Sequence, residues 1–196
     1  YFKKDGINVY QYSLHIGIYR RFLPILGCVC AKVYRDMVKE QGEPDVVHSH
    51  FYFMGAILAS MPKRPACPVV ITEHSSKLNK DVSLISELDK KLARMAYDYA
   101  DRVVAVSNAL AKKLKTNFSV DAEVIPDMFS LPEVETTIKD ENVFRVVSVG
   151  RIVRGKGFFE LVNAFYQAQI PENSELVIIG DGPLKDFIQD GLVNNR

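Results

Sequence analysis

Short β-branched stretches alternate with longer stretches of helical periodicity along most of this chain. The β-branched stretches predict strands at residues 8–14, 45–50, 68–74, 102–107, 122–126, 143–150 and 174–180. Apolar residues at spacings of three and four predict helices at 20–40, 52–60, 84–100, 108–115, 157–169 and from 183 onward. This alternation is typical of the α/β class, in which helices cover both faces of a parallel sheet.

The pattern lapses at residues 127–142, where the sequence is polar and lacks either periodicity. We interpret this stretch as a linker between a first domain at 1–126 and a second at 143–196. The chain begins at Tyr1 rather than Met, and its second domain holds only two predicted strands. We therefore expect both domains to be incomplete and the chain to be part of a longer protein.

Composition indicates a soluble globular protein, since 47% of residues are apolar and the mean hydropathy is −0.02. Three cysteines without a CxxC pair favour a reducing cytoplasm over a disulfide framework. Residues 1–126 carry 18 Lys and Arg against 13 Asp and Glu, whereas residues 127–196 carry 7 against 11. The basic first part favours an anionic surface or acceptor, and we expect no nucleic-acid partner.

A glycine-spaced basic turn, GRIVRGKG at residues 150–157, follows the predicted strand at 143–150. Backbone N–H groups and the positive end of the next helix face outward after a parallel strand, and Arg151 and Lys156 add two charges. The turn therefore predicts a site for a diphosphate. It also satisfies most of the P-loop pattern, but Gly157 replaces the Ser or Thr that binds magnesium. An exposed basic loop without a ligand is the third alternative.

Several other polar residues lie at predicted strand ends. His48 and His50 share one face of their strand, which raises a metal site, but no third ligand lies at a useful spacing. We expect His48 to lie in the core. Strand alternation places Glu73 on the opposite face from His74, at the surface or behind the site. Ser107 is expected to cap the following helix.

Five motifs occur in a fixed order: DVVHSH, VVITEHSS, AYDYADRVVAVSNALAKKL, VGRIVRGKGF and LVIIGDGPL. With them the chain resembles group 1, or family 4, retaining glycosyltransferases of the GT-B fold, which have two Rossmann-like domains. The resemblance implies transfer of a hexose from a nucleotide-diphosphate sugar to a glycan or lipid-linked acceptor in polysaccharide biosynthesis. It implies no metal and no cofactor beyond this co-substrate.

The resemblance also implies roles for individual residues. His74 would contact the donor sugar as the catalytic residue, and His50 would lie on the acceptor side. The donor diphosphate would be bound by Gly150, Arg151, Gly155, Lys156 and Gly157, and the nucleotide would lie near Gly180, Asp181 and Gly182. The GDGP sequence at 180–183 is equally typical of an ordinary turn with Asp as a local cap and Pro opening a helix.

The resemblance further implies a protein at the cytoplasmic face of the membrane. Basic residues flank an apolar stripe in the helix at 20–40, which allows peripheral membrane contact, although the stripe (Phe22, Leu26, Val29, Val33, Met37) favours packing on the sheet.

Three departures from the family pattern limit what this chain can do. Asp127 and Met128 replace the usual Asn-Gly of the hinge. The family's first glycine-rich loop would lie before Tyr1, and its pair of donor-binding glutamates beyond Arg196. We therefore expect this chain alone to be inactive. A nucleotide-sugar epimerase of the same fold, a P-loop nucleotide binder and a non-catalytic binding module are the alternatives.

Overall fold

The structure, a computed structural model, describes residues 2–4, 6–11, 22–130 and 142–193. Contacts within the chain divide it into two compact units, Tyr1–Ser130 and Leu131–Arg196. Most of the predicted linker, residues 131–141, lies outside the described residues, so its bounds and those of the two domains stay predictions.

The first unit is built on a parallel sheet with the strand order β3-β4-β5-β6. Its elements are β1 (Phe2–Lys4), β2 (Ile7–Val9), α1 (Leu23–Gln41), β3 (Val47–His50), α2 (Tyr52–Ala59), β4 (Val69–Glu73), α3 (Glu87–Tyr99), β5 (Arg102–Ala105), α4 (Asn108–Phe118) and β6 (Glu123–Val124). Parallel pairing brings the carboxyl ends of successive strands to one edge. The predicted α/β class with helix-flanked parallel sheets is confirmed.

The core of this unit lies between the sheet and helices α2 and α3. Ile71 is fully buried in β4. Gly55 lets α2 approach both β4 and α3 closely, because an added Cβ at Gly55 would lie 2.5 Å from Cδ1 of Ile71 and 2.9 Å from the Cβ of Ala96. Such close packing excludes water from the sheet face and leaves little freedom for the strand ends. Ser107 caps α4 by accepting a hydrogen bond from the amide of Leu110 at 3.2 Å, which confirms the predicted cap.

The predicted strand at 8–14 is wrong in extent and pairing. β2 ends at Val9 and pairs antiparallel with β1, with Lys4 opposite Ile7. The two strands are separated by two residues of the sequence, and the second of these, Gly6, has a φ of 81°. An Asp-Gly pair is a strong hairpin signal, which strand alternation alone does not reveal. Residues 12–14 lie outside the described residues.

Helix α1 packs on α2 through a narrower face than its apolar stripe predicts. Only Leu26 and Gly27 are buried among its described residues, while Phe22 and Met37 are exposed. An added Cβ on Gly27 would overlap the carbonyl oxygen of Ser60, so the close approach of two helices fixes this contact. Within the described part of the chain, no helix combines the length and apolar character needed to cross a bilayer.

The second unit contains a parallel strand pair and two helices. β7 (Phe144–Val149) and β8 (Ser174–Ile179) run in register from Phe144 opposite Ser174 to Val149 opposite Ile179. α5 (Phe158–Gln167) connects them, and α6 (Lys185–Val193) begins two residues later than the Pro183 start that the sequence predicts. The buried cluster of this unit consists of Ile152, Phe158, Val162 and Ile188.

Candidate functional site

The second unit presents what we call the cationic turn, residues 150–157, between β7 and α5. Its first part is anchored by the backbone: the amide of Gly150 donates to Ile179 at 3.0 Å, and the amide of Ile152 donates to Asp181 at 2.8 Å. These bonds extend the parallel pairing beyond both strand ends. The turn that contains Gly180, Asp181 and Gly182 is thereby held directly beside the cationic turn, so the structure brings these two predicted groups together.

The glycines of the two turns differ in the physical reason for which a glycine is required. Added Cβ atoms at Gly180 and Gly182 would overlap the carbonyl oxygens of Gly150 and Ile152, so both are required by close packing. Gly157 adopts a φ of 74° at the start of α5, a conformation that disfavours other residues. Gly155 is different, because its φ is not positive and an added Cβ would meet no heavy atom within 4 Å.

Positive charge on the cationic turn is exposed. Arg151, Arg154 and Lys156 point their charges to solvent, and none forms an ion pair with any residue that the structure describes. Sequence analysis missed Arg154, although it lies in the same short 3-10 turn as Lys156. No side chain caps the amino end of α5, so its first amides are available to an anion.

Asp181 does not act as the local cap that an ordinary turn would need. Its carboxylate is exposed and makes no hydrogen bond with the described residues; only its backbone carbonyl is engaged, by Ile152. The amide of Lys185 instead bonds the carbonyl of Gly182 at 3.0 Å. The Asp181 side chain is thus open to a ligand beside the cationic turn.

The first unit places a second polar group at the carboxyl edge of its sheet, which we call the histidine edge: His50, His74 and Asp127. His50 ends β3, His74 follows β4, and Asp127 follows β6. The Nδ1 atom of His50 lies 2.9 Å from Nε2 of His74, whose Nδ1 lies 3.3 Å from Oδ2 of Asp127. The predicted sugar-side and acceptor-side histidines are therefore in direct contact, and sequence analysis did not foresee that Asp127 joins them.

His48 lies beside this edge rather than in the core, so that prediction is wrong. Its ring is exposed, its centroid is 4.5 Å from that of His50, and its Nε2 lies 2.7 Å from Oγ1 of Thr72. Desolvation, followed by the nearby His50 and His74, holds the pKa of His48 below its ordinary value. Among the described residues, no group of three or more His, Cys, Asp or Glu could hold a metal ion.

Glu73 is fully buried, so of its two predicted positions, at the surface or behind the site, the surface position is wrong. Its carboxylate accepts hydrogen bonds from the amide of Tyr52 at 2.8 Å, the hydroxyl of Tyr97 at 2.8 Å, and the amides of His74 at 3.1 Å and Ser75 at 2.8 Å. It thus caps the start of α2 and fixes the backbone that carries His74. Strand alternation alone could not choose between these two positions, because it does not show that both faces of the parallel sheet are covered.

Phe51 completes the surroundings of the histidine edge. It connects β3 to α2 with a φ of 68°, a conformation that side-chain-bearing residues rarely adopt, and its ring centroid lies 5.1 Å from that of His74. Backbone strain of this kind is concentrated at functional sites.

Comparison with known proteins covers both units. The chain is 28% identical to the Bacillus subtilis (strain 168) protein named "Putative teichuronic acid biosynthesis glycosyltransferase TuaC", in an alignment that covers 96% of this chain and 53% of that protein. It is 23% identical to the "Uncharacterized glycosyltransferase MJ1607" of Methanocaldococcus jannaschii, over 74% of this chain and 42% of that protein. The chain spans about half the length of the curated relatives that it matches.

The family model that matches is Glycosyltransferase Family 4, over residues 6–129. This range includes the whole histidine edge. The cationic turn lies outside it but is covered by the alignment with TuaC. The matched range is more than half of the chain, and its α/β architecture agrees with a Rossmann-like domain of the GT-B fold. The chain therefore belongs to Glycosyltransferase Family 4.

Proposed function

We propose that this chain is part of a retaining glycosyltransferase that moves a hexose from a nucleotide-diphosphate sugar to a glycan or lipid-linked acceptor. Family membership and the names of both relatives support a glycosyltransferase. The observation that carries the donor assignment is the cationic turn, where three exposed cations without an ion-pair partner among the described residues precede the uncapped start of α5.

The diphosphate would bind against Arg151 and Lys156, with Arg154 as a third positive group. Breaking the sugar–phosphate bond leaves negative charge on the departing diphosphate, and fixed cations stabilise that charge as it develops. The turn is suited to this task because its backbone bonds to the 180–182 turn hold it in place before a ligand arrives. We propose that these side chains take the role of a divalent metal, so that transfer needs none.

Gly155 supports close approach of the phosphate to the backbone. Neither its φ nor the packing around it requires a glycine, in contrast to Gly157 and Gly180. A ligand that contacts the bare backbone at this position would explain the residue. The open carboxylate of Asp181 would then accept hydrogen bonds from the nucleoside part of the donor, with Gly180 and Gly182 as its close neighbours.

The histidine edge would serve the sugar and the acceptor. The side chain of His74 is 21% exposed and held by its contacts, so it can hydrogen-bond a sugar hydroxyl in a fixed direction. His50, which is exposed, would face the acceptor. Glu73 is unsuited to act as a nucleophile, because its buried carboxylate is occupied by four donors. Retention would follow from attack on the face that the diphosphate leaves, with the phosphate taking the acceptor's proton.

The name of the Bacillus relative supports polysaccharide biosynthesis as the setting. We propose a cytoplasmic location with peripheral membrane contact; the exposed Phe22, which precedes α1, and Met37 of α1 would supply apolar groups for such contact. Flotation of the complete protein with liposomes that contain anionic lipid tests this part of the proposal, and recovery that does not depend on lipid would contradict it.

Calorimetry of UDP and GDP binding to the complete protein tests the donor site. Charge-assisted hydrogen bonds contribute about 1.5–3 kcal/mol each, so Arg151→Ala and Lys156→Ala should each weaken affinity about 10- to 100-fold. Arg145→Ala is the matched control, since Arg145 lies at the other end of β7 and pairs with Glu175. Lys115→Ala, which breaks a pair with Asp121, is a control in the first unit.

Equal nucleotide affinity in all four variants would refute the donor site. Transfer activity should also persist after removal of divalent metals with a chelator. Loss of activity that magnesium restores would contradict the proposal that cationic side chains replace the metal.

A further inference from the structure

Asp127, His74 and His50 form a continuous chain of side-chain contacts at the carboxyl edge of the first sheet. The chain runs from Oδ2 of Asp127 to Nδ1 of His74, and from Nε2 of His74 to Nδ1 of His50. The last atom, Nε2 of His50, has no partner among the described residues, and His50 is exposed. The series therefore begins at a carboxylate and ends at an imidazole nitrogen that is open to a ligand.

The carboxylate sets the direction of every bond in this chain. An ionised carboxylate can only accept, so Nδ1 of His74 must carry a proton toward Asp127. A neutral imidazole has a single N–H, which leaves Nε2 of His74 bare and able to accept. Nδ1 of His50 must then be the donor of the 2.9 Å bond, and its Nε2 is left as a bare acceptor.

Two further contacts keep the rings in register. The amide of His74 is held by the buried carboxylate of Glu73 at 3.1 Å, and the ring of Phe51 lies against that of His74. His48 takes no part in these hydrogen bonds, because its Nε2 is directed to the hydroxyl of Thr72. The position of His74 is thus held by groups that take no part in the hydrogen bonds between Asp127, His74 and His50.

We propose that Asp127 is a positioning residue that fixes the tautomers of His74 and His50, so that Nε2 of His50 accepts a hydrogen bond from a substrate hydroxyl. This bond would hold a hydroxyl next to the attacking one, whose own proton goes to the departing phosphate, so the acceptor is oriented without any covalent step or proton transfer on the histidine. Asp127 itself touches neither substrate. The identity of the hydroxyl as the acceptor's rests on the proposed function, whereas the tautomers of the two rings do not.

Asparagine at position 127 is an informative variant, because its NH₂ group can reverse the donor–acceptor direction of both hydrogen bonds. The NH₂ group would donate to Nδ1 of His74, Nε2 of His74 would donate to His50, and Nε2 of His50 would carry the proton. The substitution thus makes a donor available where the carboxylate could only accept, and it preserves size, whereas Asp127→Ala removes the acceptor altogether. Asp121→Asn is the matched control, since Asp121 precedes β6, is exposed and pairs with Lys115.

Nitrogen chemical shifts of histidine report which ring nitrogen bears the proton. In ¹⁵N-histidine-labelled protein at about pH 8, where neutral imidazole predominates, we expect both His50 and His74 to be protonated at Nδ1. Asp127→Asn should move both rings toward the Nε2–H form, while the signals of His48 and of the Asp121→Asn variant stay unchanged. Unchanged tautomers in both Asp127→Asn and Asp127→Ala, or Nε2–H rings in the wild type, would overturn the proposal.

Transfer by the complete protein tests the consequence for the substrate. Asp127→Asn should lower kcat/KM for the acceptor about tenfold and leave UDP or GDP affinity within about twofold of the wild type. If the tautomers reverse but transfer is unchanged, His50 does not accept a hydrogen bond from a hydroxyl of the acceptor and the inference fails. Failure of the proposed function can be distinguished from failure of this inference, because the wild type itself would then bind no nucleotide or transfer no sugar.

Discussion

The hydroxyl of Tyr97 donates to the buried carboxylate of Glu73 across 2.8 Å, which connects helix α3 to the end of β4. The amides of Tyr52, His74 and Ser75 complete the set of donors. Desolvation, reinforced by the charge on Glu73, raises the pKa of Tyr97 above its ordinary value. One carboxylate thus joins the first turn of α2, helix α3 and the segment that carries the candidate catalytic histidine.

Removing the hydroxyl of Tyr97 should show how much its hydrogen bond to Glu73 contributes to the free energy of unfolding. Tyr97→Phe leaves a buried carboxylate short of one donor, and hydrogen bonds to charged groups contribute about 1.5–3 kcal/mol. We expect the free energy of unfolding in urea to fall by about that amount. Tyr99→Phe is a matched control on the same helix, because the hydroxyl of Tyr99 is buried without a hydrogen-bond partner among the described residues. That variant should be neutral or slightly stabilising, and equal losses in both would contradict the role of Glu73.

The sequence was sufficient to predict the elements that depend on local patterns. The cap at Ser107 and the strand-end positions of His50 and His74 follow from short-range periodicity and helix-start chemistry. The parallel class followed from the alternation of strands and helices, and the turn at 150–157 was found from its glycine spacing and charge. The cap, the strand ends and the turn are each encoded by residues that are neighbours in the sequence.

Features that depend on distant residues were missed. The burial of Glu73 depends on donors from α2 and α3, and the contact of His74 with Asp127 joins residues 53 positions apart. His48 is expected in the core because it lies two residues before His50 at the strand end, yet Ser49 is the only buried residue of β3. Pairing of side chains across different strands cannot be obtained from the periodicity of one strand.

Phe51 should be a source of backbone strain. Its φ of 68° costs about 1–3 kcal/mol for a residue with a side chain, and glycine adopts such conformations readily. Phe51→Gly and Phe51→Ala both lose the ring beside His74, but only glycine relieves the backbone. We expect the glycine variant to exceed the alanine variant in free energy of unfolding by about 1–2 kcal/mol. Equal stability of the two variants would show that the backbone is not strained.

The lowered pKa of His48 predicts a dependence of stability on pH. The unfolded chain, with an ordinary imidazole pKa of 6.5, takes up a proton on acidification before the folded chain does. The contribution of His48 to stability is therefore fully present above pH 6.5 and is lost as pH falls through the lower, folded-state pKa. His48→Gln should reduce the fall in thermal midpoint between about pH 7.5 and 5.5, relative to the wild type. An identical fall in both proteins would contradict the assignment.

Gly155 and Gly180 should respond in opposite ways to the same added methyl group. Gly180→Ala forces a Cβ into the carbonyl oxygen of Gly150, and overpacking of this kind costs about 1–3 kcal/mol. Faster hydrogen exchange in peptides that cover β7 and β8 would report the damage. Gly155→Ala meets no heavy atom within 4 Å, so exchange should match the wild type.

The nucleotide affinity of Gly155→Ala then separates a ligand site from a bare loop. If a phosphate contacts the backbone at position 155, the new methyl group occupies its place and UDP or GDP affinity in the complete protein should fall about tenfold despite an intact fold. Because the free structure gives no other reason for a glycine there, unchanged affinity would mean that the diphosphate does not approach this part of the cationic turn. The remaining candidates for contact would then be the side chains of Arg151 and Lys156 alone.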